Sequence, residues 1–337
     1  MAAYIIKRLL LALFTLLAIL FASYLLLRLT PGDPTRSNMF SDTSGGGTLD
    51  AKNNALYENR SLREKLDLDK PILTGFSRWL KKVVCHGDFG TSVMVDKGKS
   101  VTSLIGERLS VTLKLNCAAI LIIYLCSIPL GIFSASKAGG GFDRSSEFIL
   151  FVLYSLPVMW VGLLLKSLLC EGGTLPIFPL GSLTPDNPER LTVWQYQWQS
   201  IKHYTLPVIC LAYGGIAGLS RYTRGSMLEV MSCDYIRTAR AKGVGENGIL
   251  WGHAFRNALI TMITLFGSLL PSLVGGSVMV EYIFDIPGMG TLALDSLSQR
   301  DYPLQMALFA FTGILTLAGI LLSDILYTIA DPRISLD

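Results

Sequence analysis

The chain has 337 residues, of which 51% are hydrophobic and 16% charged, with a mean hydropathy of +0.48. Soluble globular domains carry about a quarter charged residues, so this balance excludes an ordinary soluble protein and points into a membrane. The net charge of +4 is small and scattered along the chain, which leaves no basic footprint for nucleic acid.

Lys7 and Arg8 precede an uncharged run from Leu9 to Leu27, long enough at about 1.5 Å per residue to cross a hydrocarbon core of about 30 Å. A cleavable signal peptide would have a shorter apolar region ending at a small-residue cleavage site. Ala22-Ser23 lies inside the run instead, so residues 1–29 read as an uncleaved signal anchor. Thr30-Pro31-Gly32-Asp33-Pro34 then stops the apolar pattern with turn formers. Residues 30–108 read as a long excursion outside the membrane, with a Gly45-Gly46-Gly47 linker and an ordered part over Leu62 to Ser92. Gly98-Lys99-Ser100 imitates the end of a phosphate-binding loop, but the required first glycine is Val93 and no strand precedes it.

A second span is predicted over Leu109 to Ala135, with Lys114 reaching the outer interface. Its Pro129 and Gly131 are compatible with a membrane helix, where neighbours satisfy freed backbone groups. The polar link from Ser136 to Ser146 reads as cytoplasmic. A third span, Glu147 to Cys170, contains Pro157, which predicts a kink because residue 157 has no amide hydrogen to donate. Lys166 near its outer end reads first as an interfacial anchor and second as a substrate contact. The next loop, Glu171 to Tyr204, holds Trp194, Tyr196 and Trp198, suited to the headgroup region; a peptide-binding aromatic box is the alternative. A short fourth span, Thr205 to Leu219, has Gly214, Gly215 and Gly218 for close helix contact. The fifth, Asn257 to Val280, scatters Ser268, Ser272 and Ser277 through an apolar background, either for packing or to line a wet path. The sixth, Leu304 to Ile329, carries Asp324 near its inner end, which reads as a polar contact between helices before any proton relay.

Between the fourth and fifth spans lies a polar, basic, glycine-punctuated stretch, Asp234 to Ile260. Asp234 suits a helix N-terminus, Ala239 and Ala241 favour the helix, and Gly243 and Gly245 end it. A second short helix is predicted over Ile249 to Phe255. Composition alone leaves two readings open: a projection that another protein grips through Arg237, Arg240, Lys242 and Arg256, or a plain cytoplasmic loop whose basic residues fix topology.

The wording of this stretch is Asp234-Tyr235-Ile236-Arg237-Thr238-Ala239-Arg240-Ala241-Lys242-Gly243, then His253-Ala254-Phe255-Arg256-Asn257-Ala258-Leu259. It resembles the EAA loop of ATP-binding-cassette importer permeases of the oligopeptide, dipeptide and nickel group. Thr261 stands where that pattern usually has proline. Leu66 to Pro71, Gly87 to Ser92, Arg221 to Glu229, Glu281 to Gly290, Arg300 to Pro303 and Asp331 to Arg333 extend the resemblance over nearly the whole chain.

The resemblance implies an all-α integral membrane protein with six transmembrane helices of the type I ABC importer permease kind. A long extracytoplasmic loop would separate helices 1 and 2, ahead of a five-helix core at 109–337 with its docking loop at about 221–256. In that loop, Asp234, Arg237, Ala239, Arg240, Ala241, Lys242, Gly243, Gly245, His253, Arg256 and Asn257 would meet the ATPase. Pro157, Ser268, Ser272 and Ser277 would serve the translocation path. The implied partners are a second permease subunit of different sequence, two ATP-binding cassette subunits, an extracytoplasmic substrate-binding protein and membrane lipid. The chain itself would bind no cofactor, ATP being used by the partner subunits.

Charge placement is independent of that likeness. With an inner N-terminus, the short inner segments hold Lys7, Arg8, Lys137, Arg144, Arg221, Arg224, Arg237, Arg240, Lys242, Arg256 and Arg333, while the short outer loops hold Arg190, Lys202 and Arg300. That bias follows the positive-inside rule and puts both termini in the cytoplasm; the resemblance implies that the membrane is the bacterial inner membrane. Catalytic chemistry is thin: His86, His203 and His253 sit on separate loops, Cys85 beside His86 is a weak metal hint, and no Cys-x-x-Cys occurs. A secondary transporter would need an ionisable pair at mid-membrane, yet Lys114, Glu147, Lys166 and Asp324 fall near span ends. An intramembrane enzyme would need a convergent catalytic set inside the spans, and none is apparent.

Overall fold

The computed structural model describes residues 2–30, 60, 61, 63, 64, 67, 69–185, 188–259, 262 and 278–330, with side chains over 7–30 in the first helix and to 322 in the last. The Gly45-Gly46-Gly47 linker, Ser268, Ser272, Ser277, the side chain of Asp324 and Asp331 to Arg333 lie outside the described residues. Two compact units form, one from residues 1–108 and 292–317, the other from 109–291 and 318–337.

The first unit opens with α1 (Ala2–Leu29), whose apolar residues run round the whole helix. Leu10, Leu11 and Phe14 are exposed on its surface, as on a helix meant to face lipid rather than water. Helix α2 (Ile72–His86) starts behind Pro71 and stops at Gly87, whose φ of 63° needs no side chain. Phe76 from α2 meets Phe21 and Tyr24 of α1 at ring separations of 5.3 and 5.7 Å. Arg28 closes the same corner by donating to the carbonyls of Asp67 at 2.7 Å and Lys70 at 2.9 Å. A hairpin-like turn follows, bridged between Thr91 and Ser100. Lys99, in the sequence that imitates a phosphate loop, spends its ammonium on Glu107 at 2.8 Å.

Helix α3 (Val101–Ser136) begins eight residues before the predicted second span. Glu107 and Arg108 end the apolar run, not the helix, because charged residues have good helix propensity. The predicted third span is a broken one. Helix α4 (Gly141–Ser155) stops, Leu156 and Pro157 are extended, and α5 (Val158–Leu169) departs at 89°. This replaces the expected kink. Proline removes an amide donor and also excludes its predecessor from the helical region, and the carbonyl of the extended Leu156 accepts the Tyr213 hydroxyl at 2.7 Å.

The short fourth span is corrected more strongly. Helix α6 (Val193–Met231) is 39 residues long and absorbs both the aromatic loop before it and the basic run after it. Thr192 and Gln195 form a reciprocal capping box at its start. Trp194, Tyr196 and Trp198 therefore stand on a helix, all exposed. Of the three glycines expected at helix contacts, only Gly215 is closely approached, by Ile123; nothing lies within 4 Å of a Cβ at Gly214 or Gly218. The tighter crossing of α3 and α6 is at Gly131, where a Cβ would run into Thr223 and the Ser220 carbonyl.

Helix α7 (Asp234–Ala241), a π-helical turn (Gly248–Ala254), α8 (Val278–Ile283), α9 (Met289–Ser298) and α10 (Tyr302–Ala330) complete the described residues. Helices α1, α3 and α10 are long and apolar enough to cross a membrane, and α4 with α5 makes a fourth candidate if the bent pair is one span. A core of the second unit gathers Leu115, Leu206, Val208, Val280, Ile283 and Ile286. There Lys166 is no free interfacial anchor: its ammonium donates to the Ile283 carbonyl at 2.5 Å and pairs with Asp285 at 3.0 Å.

A candidate docking site at Asp234–Asn257

Helix α6 hands the chain to α7 through Ser232 and Cys233 alone. Asp234 stands in the first turn of α7, where the helix dipole favours an acid, and Arg240 in the last, where it favours a base. Arg237 reaches back to Asp234 at 3.3 Å, and Arg240 forward to Glu246 at 3.0 Å. Gly243 ends the element with a φ of 82°, its amide donating to the Arg240 carbonyl at 2.9 Å. The chain returns through the π-helical turn and stays helical to residue 259. Asn257 joins the two arms, donating to the Tyr235 hydroxyl at 2.8 Å and the His253 carbonyl at 3.2 Å.

The inner face of this projection is apolar. Ile236, Ile249, Ala254 and Ala258 are buried against Met227 and Ile132. Ala239 belongs with them: it is 9% exposed and supports the loop from beneath, whereas the sequence reading placed it on the docking surface. Asp234, Arg237, Arg240, Ala241, Lys242, Gly243, Gly245, His253, Arg256 and Asn257 are all exposed. The sequence reading passed over Tyr235 and Trp251, each 44% exposed on the same projection. Exposed aromatics among basic residues are a common interface composition, and that was the available signal. Buried apolar residues thus hold a rigid stem, and the cations and aromatics face away from it. Chemically the surface suits an acidic, partly apolar partner.

Pro157, expected on the translocation path, forms the break between α4 and α5 instead of a bend within one helix. Cys85 and His86 are both exposed, and among the described residues no three metal-ligating side chains gather. Two further carboxylates are buried at built sites. Glu281 accepts from Thr112 Oγ1 at 2.8 Å and from the amides of Gly290 at 2.7 Å and Thr291 at 3.1 Å. Burial pushes its carboxyl above the usual glutamate range, against the lowering by those three donors. Asp301 is fully buried and accepts from Ser92 and three successive amides.

Long apolar helices, with a basic, stem-mounted projection after α6, define a helical membrane protein. Residues 127–336 match the family of binding-protein-dependent transport system inner membrane components, and the chain belongs to that family. It is 41% identical over 334 residues to the oligopeptide transport system permease protein AppB of Bacillus subtilis, covering 99% of both chains. It is 33% identical to the peptidoglycan transport system permease protein YejB of Agrobacterium fabrum, over 100% of this chain and 99% of that one. To the dipeptide transport system permease protein DppB of Alkalihalophilus pseudofirmus it is 33% identical, over 99% of both. The chain is the inner-membrane permease of an ATP-binding-cassette importer. Its family supplies the non-catalytic membrane component, which works with a partner permease, an ATPase and a substrate-binding protein.

Proposed function

We propose that this permease carries peptides inward, released to it by an extracytoplasmic binding protein. The observation that supports this most is the end-to-end identity with the oligopeptide permease, which covers 99% of each chain and so includes the outer segments as well as the family domain. The assembly we propose has two unlike permeases and two ATPase subunits. The projection at Asp234–Asn257 sits in a groove of one ATPase, with Arg237, Arg240, Lys242, His253, Arg256 and the exposed Gly243 turn as its contact residues.

In the same reading, both termini are cytoplasmic, six helices cross the membrane, and residues 30–108 form an outer loop. Positive charge clustered on the inner segments supports that orientation. The chain binds no cofactor, and ATP is used by its partners. ATP binding must favour one membrane conformation over another, because equal affinity for both shifts nothing. Pro157, with Ser268, Ser272 and Ser277, borders the path.

The test is purification in mild detergent followed by reconstitution with the co-purifying chains. A second permease and an ATPase should accompany the protein, and ATP together with binding protein should drive uptake of labelled peptide into vesicles. A chain that purifies alone and moves peptide in ATP-free vesicles overturns the reading in favour of secondary transport.

A further inference from the structure

We infer that the Asp143–Arg224 ion pair is the positioning link that carries movement of the docking projection into the broken span α4–α5, an inference that rests on the importer reading above. Arg224 lies two turns before the end of α6, and only Ser232 and Cys233 separate that end from α7. Any displacement of α7 by an ATPase therefore moves the inner end of α6. The Arg224 guanidinium grips Asp143 with two parallel bonds, Nε to Oδ1 at 2.7 Å and Nη2 to Oδ2 at 2.8 Å. Its remaining nitrogen meets Glu147 at 3.2 Å. Asp143 is 2% exposed and held from its other side by the Ser134 hydroxyl and by the Gly139 amide at 2.8 Å.

An apolar contact between two helices can slide, whereas a planar two-bond contact fixes both distance and orientation. A fully exposed pair would be worth little. Here the carboxylate is buried, and removing either partner strands the other's charge. About three turns earlier on α6, and on the same face, Tyr213 donates to the carbonyl of Leu156. Helix α6 thus holds α4 near its start and again at its end, so the two move together.

Beyond Leu156 no helical hydrogen bond crosses Pro157, so the angle of α5 to α4 is set by packing of α5 on α6 and α8, not by a continuous helix. The far side of α5 is fastened in turn: Gly162 packs under Ile283, and Lys166 binds the Ile283 carbonyl. The second unit thus contains one continuous route from the projection through α6 and α4 to a hinge, and from the hinge through α5 to α8.

The experiment uses the complete transporter in lipid vesicles, with ATP hydrolysis and peptide uptake both expressed per assembled complex. Asp143→Asn should keep the complex and its ATP hydrolysis while uptake per ATP falls about fivefold or more, the lower end of ordinary coupling energies. Asp143→Glu, which keeps the charge, should restore much of that ratio. Normal uptake per ATP in Asp143→Asn overturns the inference, and so does a lower yield of complex whose surviving molecules couple normally, since the pair is then only a structural cap. If Asp143→Asn yields no complex, Arg224→Lys decides, because it keeps the charge and loses the two parallel bonds. A fall in uptake per ATP supports the link, and an unchanged ratio overturns it. Wild-type protein without ATP-dependent uptake would instead defeat the importer reading itself, whatever the variants do.

Discussion

Ser92 donates its hydroxyl to the buried carboxylate of Asp301 at 2.6 Å across 209 positions of sequence. The same oxygen, Oδ2, receives the amides of Val93 and Met94 at 2.9 Å and of Val95 at 3.2 Å, while Oδ1 receives the Leu304 amide. Successive amides converging on one oxygen form an anion nest, and here the anion belongs to the chain itself. Asp301 therefore fastens the turn at 92–95 and caps α10 at once. Asp301→Asn puts an amide NH2 against at least one of these donors, and should cost about 2–3 kcal/mol. Ser92→Ala leaves the amides of residues 93–95 on Asp301 but removes the hydroxyl donor and the acceptor of the Asp96 amide at 2.9 Å, so about 1–2 kcal/mol is expected. Thermal unfolding in detergent, with protease cleavage at 92–100 as a local readout, orders the two variants; equal stability of Asp301→Asn and wild type refutes the latch.

Gly288 makes a sharper steric case. A Cβ there would lie inside van der Waals contact of the Glu281 carboxyl, at a residue whose φ is not in the left-handed region. Gly288→Ala should therefore lower stability by about 1–3 kcal/mol through overpacking alone. Gly225, exposed on α6 with nothing within 4 Å of a Cβ, is the control. Gly225→Ala should be neutral or stabilising by up to about 1 kcal/mol. If both substitutions behave alike in yield and unfolding midpoint, the crowding at Glu281 is not real.

These partners explain what the sequence made legible and what it hid. The two short helical pieces at 234–241 and 248–254 were readable almost to the residue, because an acid in the first turn and a glycine with positive φ at the end are local signals. The limits of α6 were not, because hydropathy marks where apolar residues stop, and polar residues such as Arg221 and Arg224 continue a helix well. The Thr192-x-x-Gln195 box was in plain view and outranks hydropathy as a start signal. Pro157 announced a disturbance but not its size of 89°, and the Tyr213 hydroxyl that donates to the Leu156 carbonyl comes from another helix. Asp301 and Glu281 stood inside quoted motifs without a role, since their partners lie 209 and 169 positions away.

Gly243 and Gly245 separate backbone need from contact need. Gly243 holds a φ of 82° with nothing within 4 Å of a Cβ, whereas Gly245 is equally open and has no positive φ. A β-branched residue at 243 is strained in itself, by about 1–2 kcal/mol. Gly243→Val should straighten or displace the turn, reduce ATPase recovery in purification, and uncouple transport from hydrolysis in what assembles. Gly243→Asn, which accepts the left-handed region, should be mild, and Gly245→Ala milder still. Normal coupled transport by Gly243→Val would show that the turn does not position the docking surface.

Glu281 gives a pH dependence with a defined sign. It lies just beyond the fifth predicted span, and burial raises its carboxyl in the folded protein. The folded state therefore binds the proton more tightly than the unfolded chain, whose glutamates titrate near about 4.3. Between the unfolded and folded values the native state carries the extra proton, so stability falls as pH rises through that window and is recovered on acidification. Wild-type protein compared with Glu281→Gln isolates this contribution, because glutamine keeps an oxygen for the Gly290 and Thr291 amides and has no proton to lose. As pH is lowered toward the unfolded glutamate value of about 4.3, the unfolding midpoint of wild type should gain on that of the variant, each kcal/mol appearing as about 2–4 °C. Parallel midpoints would mean that the three donors around Glu281 offset its burial.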